Sequence, residues 1–143
     1  MPKFLSAQPI MQNTGIALVR LITGGFLFYH GLEVFDSSVM AEYGKWDMFK
    51  LNIHPMLMPY IGKGSELAAG ALLILGLFTR IACIIVAGTM LYITFIVGHG
   101  KFWYEDQHPF MFVLMAMSLF FTGPGAFSFD AVLFGKAPAR RRY

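Results

Sequence analysis

A chain of 143 residues with 57% apolar and only 13% charged residues forms one domain, and a soluble domain of that size cannot cover so much apolar surface. The formal charge of +3 comes from few and scattered basic residues, which argues against binding to nucleic acid. A single cysteine, Cys83, excludes an intrachain disulfide. We therefore expect an all-α integral membrane protein, a four-helix bundle in the lipid bilayer.

The first apolar stretch covers residues 14–35. As a helix it is about 33 Å long, enough to cross a hydrocarbon core of about 30 Å. It is longer than the apolar core of a signal peptide, which has about 7–15 residues, and no small-residue cleavage site ends it. We expect it to remain in the membrane as the first span.

A more polar segment, residues 36–58, follows the first span. Its apolar side chains recur every three or four residues, at Met40, Tyr43, Trp46 and Phe49, with charged residues between them. This spacing predicts a short amphipathic helix on the membrane face. An irregular loop is the alternative.

Three further stretches are apolar enough to cross the bilayer: residues 59–78, 80–99 and 107–122. Pro59 is well placed to open the second span, because proline suits the first turn of a helix. The second and third spans are joined so closely that they form an antiparallel hairpin. Gly123-Pro124-Gly125 stops the fourth span, which is short for the bilayer and must reach the interface or thin it.

After the fourth span comes a basic tail, residues 126–143, which we expect to lie in the membrane interface. Each Arg near anionic lipid adds about 1 kcal/mol to such binding. Basic residues are more numerous on the side of the termini than on the other side, seven against four. The positive-inside rule therefore predicts that both termini lie in the cytoplasm.

Ionisable side chains inside the spans indicate the candidate site, because each costs about 2.5–3.5 kcal/mol at the bilayer centre. His30 lies about 7–8 Å below the outer end of the first span, and Glu66 about 10 Å below the outer start of the second. Glu33 shares a helical face with His30. Such a pair can transfer protons, since imidazole titrates near neutral pH. Alternatively, His30 and Glu66 bond one another and hold the helices together.

Other polar and aromatic residues are candidates for contact with a bound cofactor. His99, Trp103, Tyr104 and His108 all fall on the outer side, near the ends of the third and fourth spans. Arg20 lies about six residues into the first span, where snorkelling to cytoplasmic headgroups is the simpler interpretation. Quinone chemistry needs proton transfer beside an apolar slot, so a quinone is the cofactor that this set would suit.

Three segments resemble the DoxX-like family. Residues 66–80, ELAAGALLILGLFTR, resemble its signature. Arg20 with Gly24-Gly25-Phe26 and His30-Gly31 resembles its first span, and residues 122–130 resemble its closing motif. The three matches occur in the family's order and cover residues 15–130.

The resemblance implies a multi-pass protein of the bacterial cytoplasmic (inner) membrane. Relatives include a subunit of an archaeal thiosulfate:quinone oxidoreductase and members tied to membrane oxidoreductase or thiol-stress complexes. It also implies that the family's characteristic polar residues are Arg20, His30, Glu66 and Arg80. The first loop is longer and more charged here than the family pattern leads one to expect.

Three functions are then compatible with the sequence. The first is a small subunit or partner of membrane or soluble redox proteins, with a quinone-facing, proton-handling pocket around His30 and Glu66. The second is a non-catalytic assembly or scaffolding subunit of a larger membrane complex. The third is copper or iron handling, for which His108, Met111 and Met115 on one face of the fourth span would suit copper(I).

Overall fold

The structure, a computed structural model, describes residues 8–50 and 54–135, which contain helices and no strand. The all-α class is therefore confirmed for these residues. The helices are α1 (Gln12–Gly31), α2 (Ser37–Gly44), α3 (Asp47–Lys50), α4 (Leu57–Leu75), α5 (Thr79–Tyr92), α6 (Gln107–Thr122) and α7 (Phe129–Phe134). Four of them are long, and these pack side by side as a bundle.

Two of the long helices continue in a different helical form. α1 runs on as a 3₁₀ turn, Leu32–Phe35, and α5 runs on as a π-helix, Ile93–Val97. With these extensions both are long and apolar enough to cross a membrane, and α6 is a shorter apolar helix. α4 has 19 residues, among them Lys63 and Glu66, and is not one of these two helices. The chain is thus an all-α membrane helical protein.

The helix boundaries differ from the predicted ones mainly at α4. The predicted stretch was residues 59–78, whereas α4 covers Leu57–Leu75, so Pro59 stands in its first turn rather than at its start. The helix ends early because Gly76 has a φ of +64°, the left-handed conformation that typically terminates a helix. The three residues that remain before α5 make the predicted tight hairpin.

Glycines allow α1 and α4 to pack with their backbones in close contact. A Cβ on Gly24 would lie 2.9 Å from the carbonyl oxygen of Gly70. A Cβ on Gly70 would collide with the backbone of Phe28, and one on Gly31 with that of Leu67. Small residues allow such approach between membrane helices. This contact fixes the relative position of His30 on α1 and Glu66 on α4.

We expect Gly70→Ala to destabilise the protein by about 1–3 kcal/mol, because the added methyl group overpacks the α1–α4 contact. Gly64→Ala is the matched control on the same helix. A Cβ at Gly64 meets nothing within 4 Å, so this change should stabilise the helix by about 0.5–1 kcal/mol. Thermal unfolding in detergent compares them, and equal midpoints for the two variants would contradict the packing.

The segment between α1 and α4 is helical and amphipathic, as predicted, although it forms two short helices instead of one. The Asp36 carboxylate accepts hydrogen bonds from the amides of Ser38 and Val39 and from the Ser38 hydroxyl, and so caps α2. These bonds lower the pKa of Asp36. Met40 and Phe49 are buried against the bundle, so α2 and α3 cover one end of α4.

The snorkelling interpretation of Arg20 is wrong, because its side chain is only 2% exposed and points into the bundle. One guanidinium nitrogen donates to the carbonyl oxygens of Leu73 at 2.8 Å and Ile74 at 3.3 Å. The other terminal nitrogen donates to the carbonyl oxygen of Phe127. Arg20 therefore satisfies carbonyls at the C-terminal end of α4 and ties the chain after α6 to them.

The described part of the predicted tail, residues 126–135, forms α7 and is bonded to the α4–α5 turn. The Asp130 carboxylate accepts hydrogen bonds from the amides of Phe78 (2.7 Å) and Thr79 (2.8 Å) at the start of α5. The Asp130 amide donates to the Gly76 carbonyl oxygen at 2.9 Å. Residues 136–143, which include the terminal arginines, lie outside the described residues.

Candidate functional site

His30 and Glu66 line the same cavity, of about 170 Å³, as their predicted depth suggested. We call this space the histidine cavity, because His108 lines it as well. Glu66 is 5% exposed and His30 is half-buried. No hydrogen bond joins these two described residues; the carboxylate of Glu66 instead pairs with Lys63, one helical turn away on α4.

Lys63 lies at the centre of a charged network. Its Nζ is 3.0 Å from Oε2 of Glu66 and 3.1 Å from Oε2 of Glu33, so it joins α4 to the 3₁₀ turn after α1. The Tyr43 hydroxyl donates to the same Glu33 oxygen at 2.6 Å, and the Tyr43 ring centroid lies 5.5 Å from Nζ. Nδ1 of His30 is 4.0 Å from Oε1 of Glu33.

Tyr43 ties the network to the amphipathic segment. Burial raises the pKa of its hydroxyl, and the hydrogen bond to Glu33 raises it further. The hydroxyl therefore stays protonated at neutral pH and remains a donor to Glu33. Through this bond, α2 is held over the buried charges of α4.

The network has one unpaired negative charge when all its acids are ionised. Glu33 and Glu66 carry two negative charges, and Lys63 carries one positive charge. A net negative charge is expensive beside the buried carboxylate of Glu66, whereas Glu33 is a third exposed and reaches water. One bound proton cancels this charge. The cluster is therefore suited to hold and release a single proton.

A second cavity, of about 190 Å³, is also lined by Lys63 and Glu66. Its walls are α4 and the end of α5 with the π-helix, and α2 and α3 cover it. We call it the aromatic cavity after Tyr43, Trp46, Phe49 and Tyr92, which line it. A Cβ on Gly62 would meet nothing within 4 Å, so the missing side chain leaves space in its wall.

The π-helix borders both cavities. Ile93 lines both of them and Val97 lines the aromatic one. Inside the π-helix, the buried Thr94 hydroxyl donates to the carbonyl oxygen of Met90 at 2.8 Å. π-helices are rare and frequently occur at functional sites. Their presence here gives a second, independent reason to place the site at this end of the bundle.

The Lys63–Glu66 pair contacts both cavities, because both residues line each of them. One space offers aromatic rings and the other offers two imidazoles. A buried acid–base pair that contacts both spaces can take a proton from one side and deliver it to the other. This is the chemical capacity of the site.

Only some of the predicted site residues come together here. Those that line a cavity or join the network are His30, Glu33, Glu66 and His108. The others lie elsewhere: Arg20, Arg80, His99, Trp103 and Tyr104. Arg20 and Arg80 lie at the other end of the bundle, near α7, ten positions before His30 and Met90 on their helices. Arg20 is buried there and Arg80 is exposed.

The other three residues lie on an exposed loop between the π-helix and α6. Nδ1 of His99 is 3.5 Å from Oε2 of Glu105 on the surface. Trp103 and Tyr104 are largely exposed and line neither cavity. Their predicted contact with a cofactor has no geometric support in this arrangement.

Lys63 and Tyr43 are the members of the network that sequence reasoning missed. Lys63 is one of the four basic residues that the sequence places on the outer side, although its spacing of three from Glu66 is a signal for pairing along the helix. Tyr43 had been assigned to the apolar face of the amphipathic segment. No pattern in a single sequence indicates the π-helix.

The metal hypothesis finds no ligand cluster. Among residues 8–50 and 54–135, no three His, Cys, Asp or Glu side chains are grouped so that they could hold a metal ion. Of the methionines considered for copper(I), Met111 is exposed and Met115 lies 3.4 Å from the Thr23 hydroxyl, which donates to its sulfur.

Comparison with protein families gives a match to the model described as DoxX over residues 15–99. That range holds α1 to the π-helix and includes Glu33, Lys63 and Glu66. It ends before the segment that resembles the closing motif, residues 122–130. Neither the curated proteins nor the solved structures contain a match to this chain.

Proposed function

The chain belongs to the DoxX family, whose members are membrane proteins, and from this premise we propose that it serves a membrane oxidoreductase as a small subunit or partner. Its part is to bind the ring of a quinone in the aromatic cavity and to exchange protons with it through the Lys63–Glu66 pair. The observation that carries the proposal is the buried acid–base pair forming one wall of an aromatic cavity.

The fit of a quinone rests on the shape and lining of the aromatic cavity. Whole drug-sized ligands fill pockets of about 300–1,000 Å³, so this cavity of about 190 Å³ suits a ring and not a ring with its tail. Aromatic side chains stack favourably on a flat ring. Met58, Trp46 and Tyr92 at its edges are partly exposed, which leaves room for an apolar tail in the bilayer.

The proton chemistry follows from the stoichiometry of quinone reduction, which adds two electrons and two protons to give a quinol. The electrons come from the oxidoreductase, and this chain supplies the binding site and delivers the two protons one at a time, taking up a proton from water between the two transfers. Lys63 is a hydrogen-bond donor to a quinone oxygen, and Glu66 shares a proton with it. Glu33 and His30 then restore the charge balance of the network.

We also propose that all four long helices cross the bilayer of the bacterial cytoplasmic membrane with both termini in the cytoplasm. Arg20 and Lys63 lie inside the bundle, so neither counts as a loop charge. Without them the basic residues are six on the side of the termini and three on the other, which keeps the positive-inside orientation. The two cavities then lie in the outer leaflet.

Tryptophan fluorescence tests quinone binding, because the chain has two tryptophans and only Trp46 lines the cavity. In a Trp103→Phe variant in nanodiscs, a benzoquinone with a decyl tail should quench Trp46 in a saturable way. Glu66→Gln should weaken the affinity about tenfold, because it removes a charged hydrogen-bonding partner worth about 1.5–3 kcal/mol.

Glu105→Gln is the matched control for this titration, because Glu105 is exposed and pairs with Lys101 away from both cavities. It should leave the affinity unchanged. Absence of saturable quenching would overturn the proposal. If the oxidoreductase then still depended on the chain but worked equally well with Glu66→Gln, the protein would be a scaffolding subunit instead.

A further inference from the structure

We infer that the histidine cavity is a water-filled inlet through which protons reach the Lys63–Glu66 pair from the aqueous surface beside His108. The use of these protons rests on the proposed function, whereas the inlet itself does not. Apart from Lys63, Glu66 and Ile93, the inlet and the aromatic cavity are lined by different residues.

The geometry gives a continuous line of titratable groups. His108, near the start of α6, is exposed, and its ring centroid lies 6.0 Å from that of His30. His30 in turn lies 4.0 Å from Glu33, whose carboxylate shares Lys63 with Glu66. Each step is short enough to be bridged by one water molecule.

The cavity is large and polar enough to hold water. A volume of about 170 Å³ exceeds by far the roughly 10–15 Å³ that one water needs, and a buried water also needs two to four polar partners. His30, His108, Lys63 and Glu66 all face this space and supply them. The aromatic cavity meets the same pair mainly with rings and apolar side chains.

The charges that face His30 come from several elements. Glu33 lies in the 3₁₀ turn, Lys63 and Glu66 on α4, and His108 on α6. From α5 and the π-helix, only the apolar Met90 and Ile93 line the space. The described groups thus leave His30 beside two carboxylates and one ammonium.

Accessibility of a cysteine to silver ions tests for water in this cavity, because Ag⁺ is small, reacts with thiols and does not dissolve in lipid. In a Cys83→Ala background, Met90→Cys places a thiol in the wall of the cavity. Val86→Cys is the matched control: it is also buried, lies one turn away on the same face of α5 and lines neither cavity. The full-length variants are studied in nanodiscs and chloride-free buffer.

We expect Ag⁺ to react with the thiol of Met90→Cys about a hundredfold faster than with that of Val86→Cys, which reacts only when the protein opens locally. The reaction is followed as protection of the thiol from later maleimide labelling. Adding His108→Trp should slow the reaction of Met90→Cys about tenfold, because the larger ring fills the mouth of a closely packed space. Equal protection rates for the two thiols would overturn the inlet. An unchanged rate with His108→Trp would overturn its entrance at His108.

These outcomes are independent of quinone binding. If Ag⁺ reaches Met90→Cys but decyl benzoquinone does not quench Trp46, the inlet stands and the proposed function fails. If the quinone binds but the thiol at position 90 reacts with Ag⁺ as slowly as the one at position 86, the function stands and the inlet fails.

Discussion

Arg20→Met is expected to lower the free energy of unfolding by about 3–5 kcal/mol, because three carbonyl oxygens lose a charged hydrogen-bond donor. The substitution leaves the carbonyl oxygens of Leu73, Ile74 and Phe127 without their donor. Each hydrogen bond to a charged group contributes about 1.5–3 kcal/mol, and its buried partner then lacks water as a replacement. The link between α4 and the chain after α6 is lost as well.

Unfolding by sodium dodecyl sulfate in mixed micelles, followed by circular dichroism, measures this change. Arg80→Met is the matched control, because Arg80 is an exposed arginine at the same end of the bundle. It should change the free energy of unfolding by no more than about 0.5 kcal/mol. If both variants unfolded at the same detergent fraction, Arg20 would not be the structural tie that its bonds indicate.

Lys63→Met has the second large expected effect, a loss of about 3 kcal/mol at neutral pH, because the buried carboxylate of Glu66 loses its cation and the partly exposed Glu33 loses the same partner. Glu33 and Glu66 would then face each other's charge without compensation. Lowering the pH should recover part of the loss by protonating a carboxyl group. Quinone affinity should fall as well, since Lys63 lines both cavities.

The matched control for Lys63 is Lys101→Met, because Lys101 pairs with Glu105 on the exposed surface. Such pairs contribute about 0–1 kcal/mol, so this variant should remain close to the unmodified protein. Unfolding in mixed micelles at two pH values compares the pair. A Lys63→Met variant that is as stable as Lys101→Met at neutral pH would contradict the ion pairs of Lys63 with Glu33 and Glu66.

Much of the fold could be predicted from hydropathy and turn residues, and what could not has a local cause. The predicted fourth stretch coincides with α6 because Gly123-Pro124-Gly125 cannot continue a helix. The end of α4 was placed three residues late, because the apolar run continues past Gly76 and hydropathy does not register a left-handed glycine. The π-helix in Ile93–Val97 leaves the hydropathy pattern unchanged.

Sequence reasoning brought two candidate side chains to one cavity but missed the residues with which they pair. Depth along two helices was enough to bring His30 and Glu66 to one cavity. It could not reveal that Lys63 turns inward, because a lysine near a helix end normally extends to the surface. The same reasoning misplaced Arg20, whose partners are carbonyl oxygens far away in the sequence that no side-chain pattern indicates.

The measurement that tests the account most directly is the quinone affinity of Gly62→Leu compared with Gly64→Leu, read from Trp46 quenching in the Trp103→Phe background. Both glycines lie on α4 with open space around them, but only Gly62 lines the aromatic cavity. Gly62→Leu should weaken binding about tenfold or more, a loss of about 1.4 kcal/mol, while Gly64→Leu leaves it unchanged. Equal affinities would contradict quinone binding in this cavity.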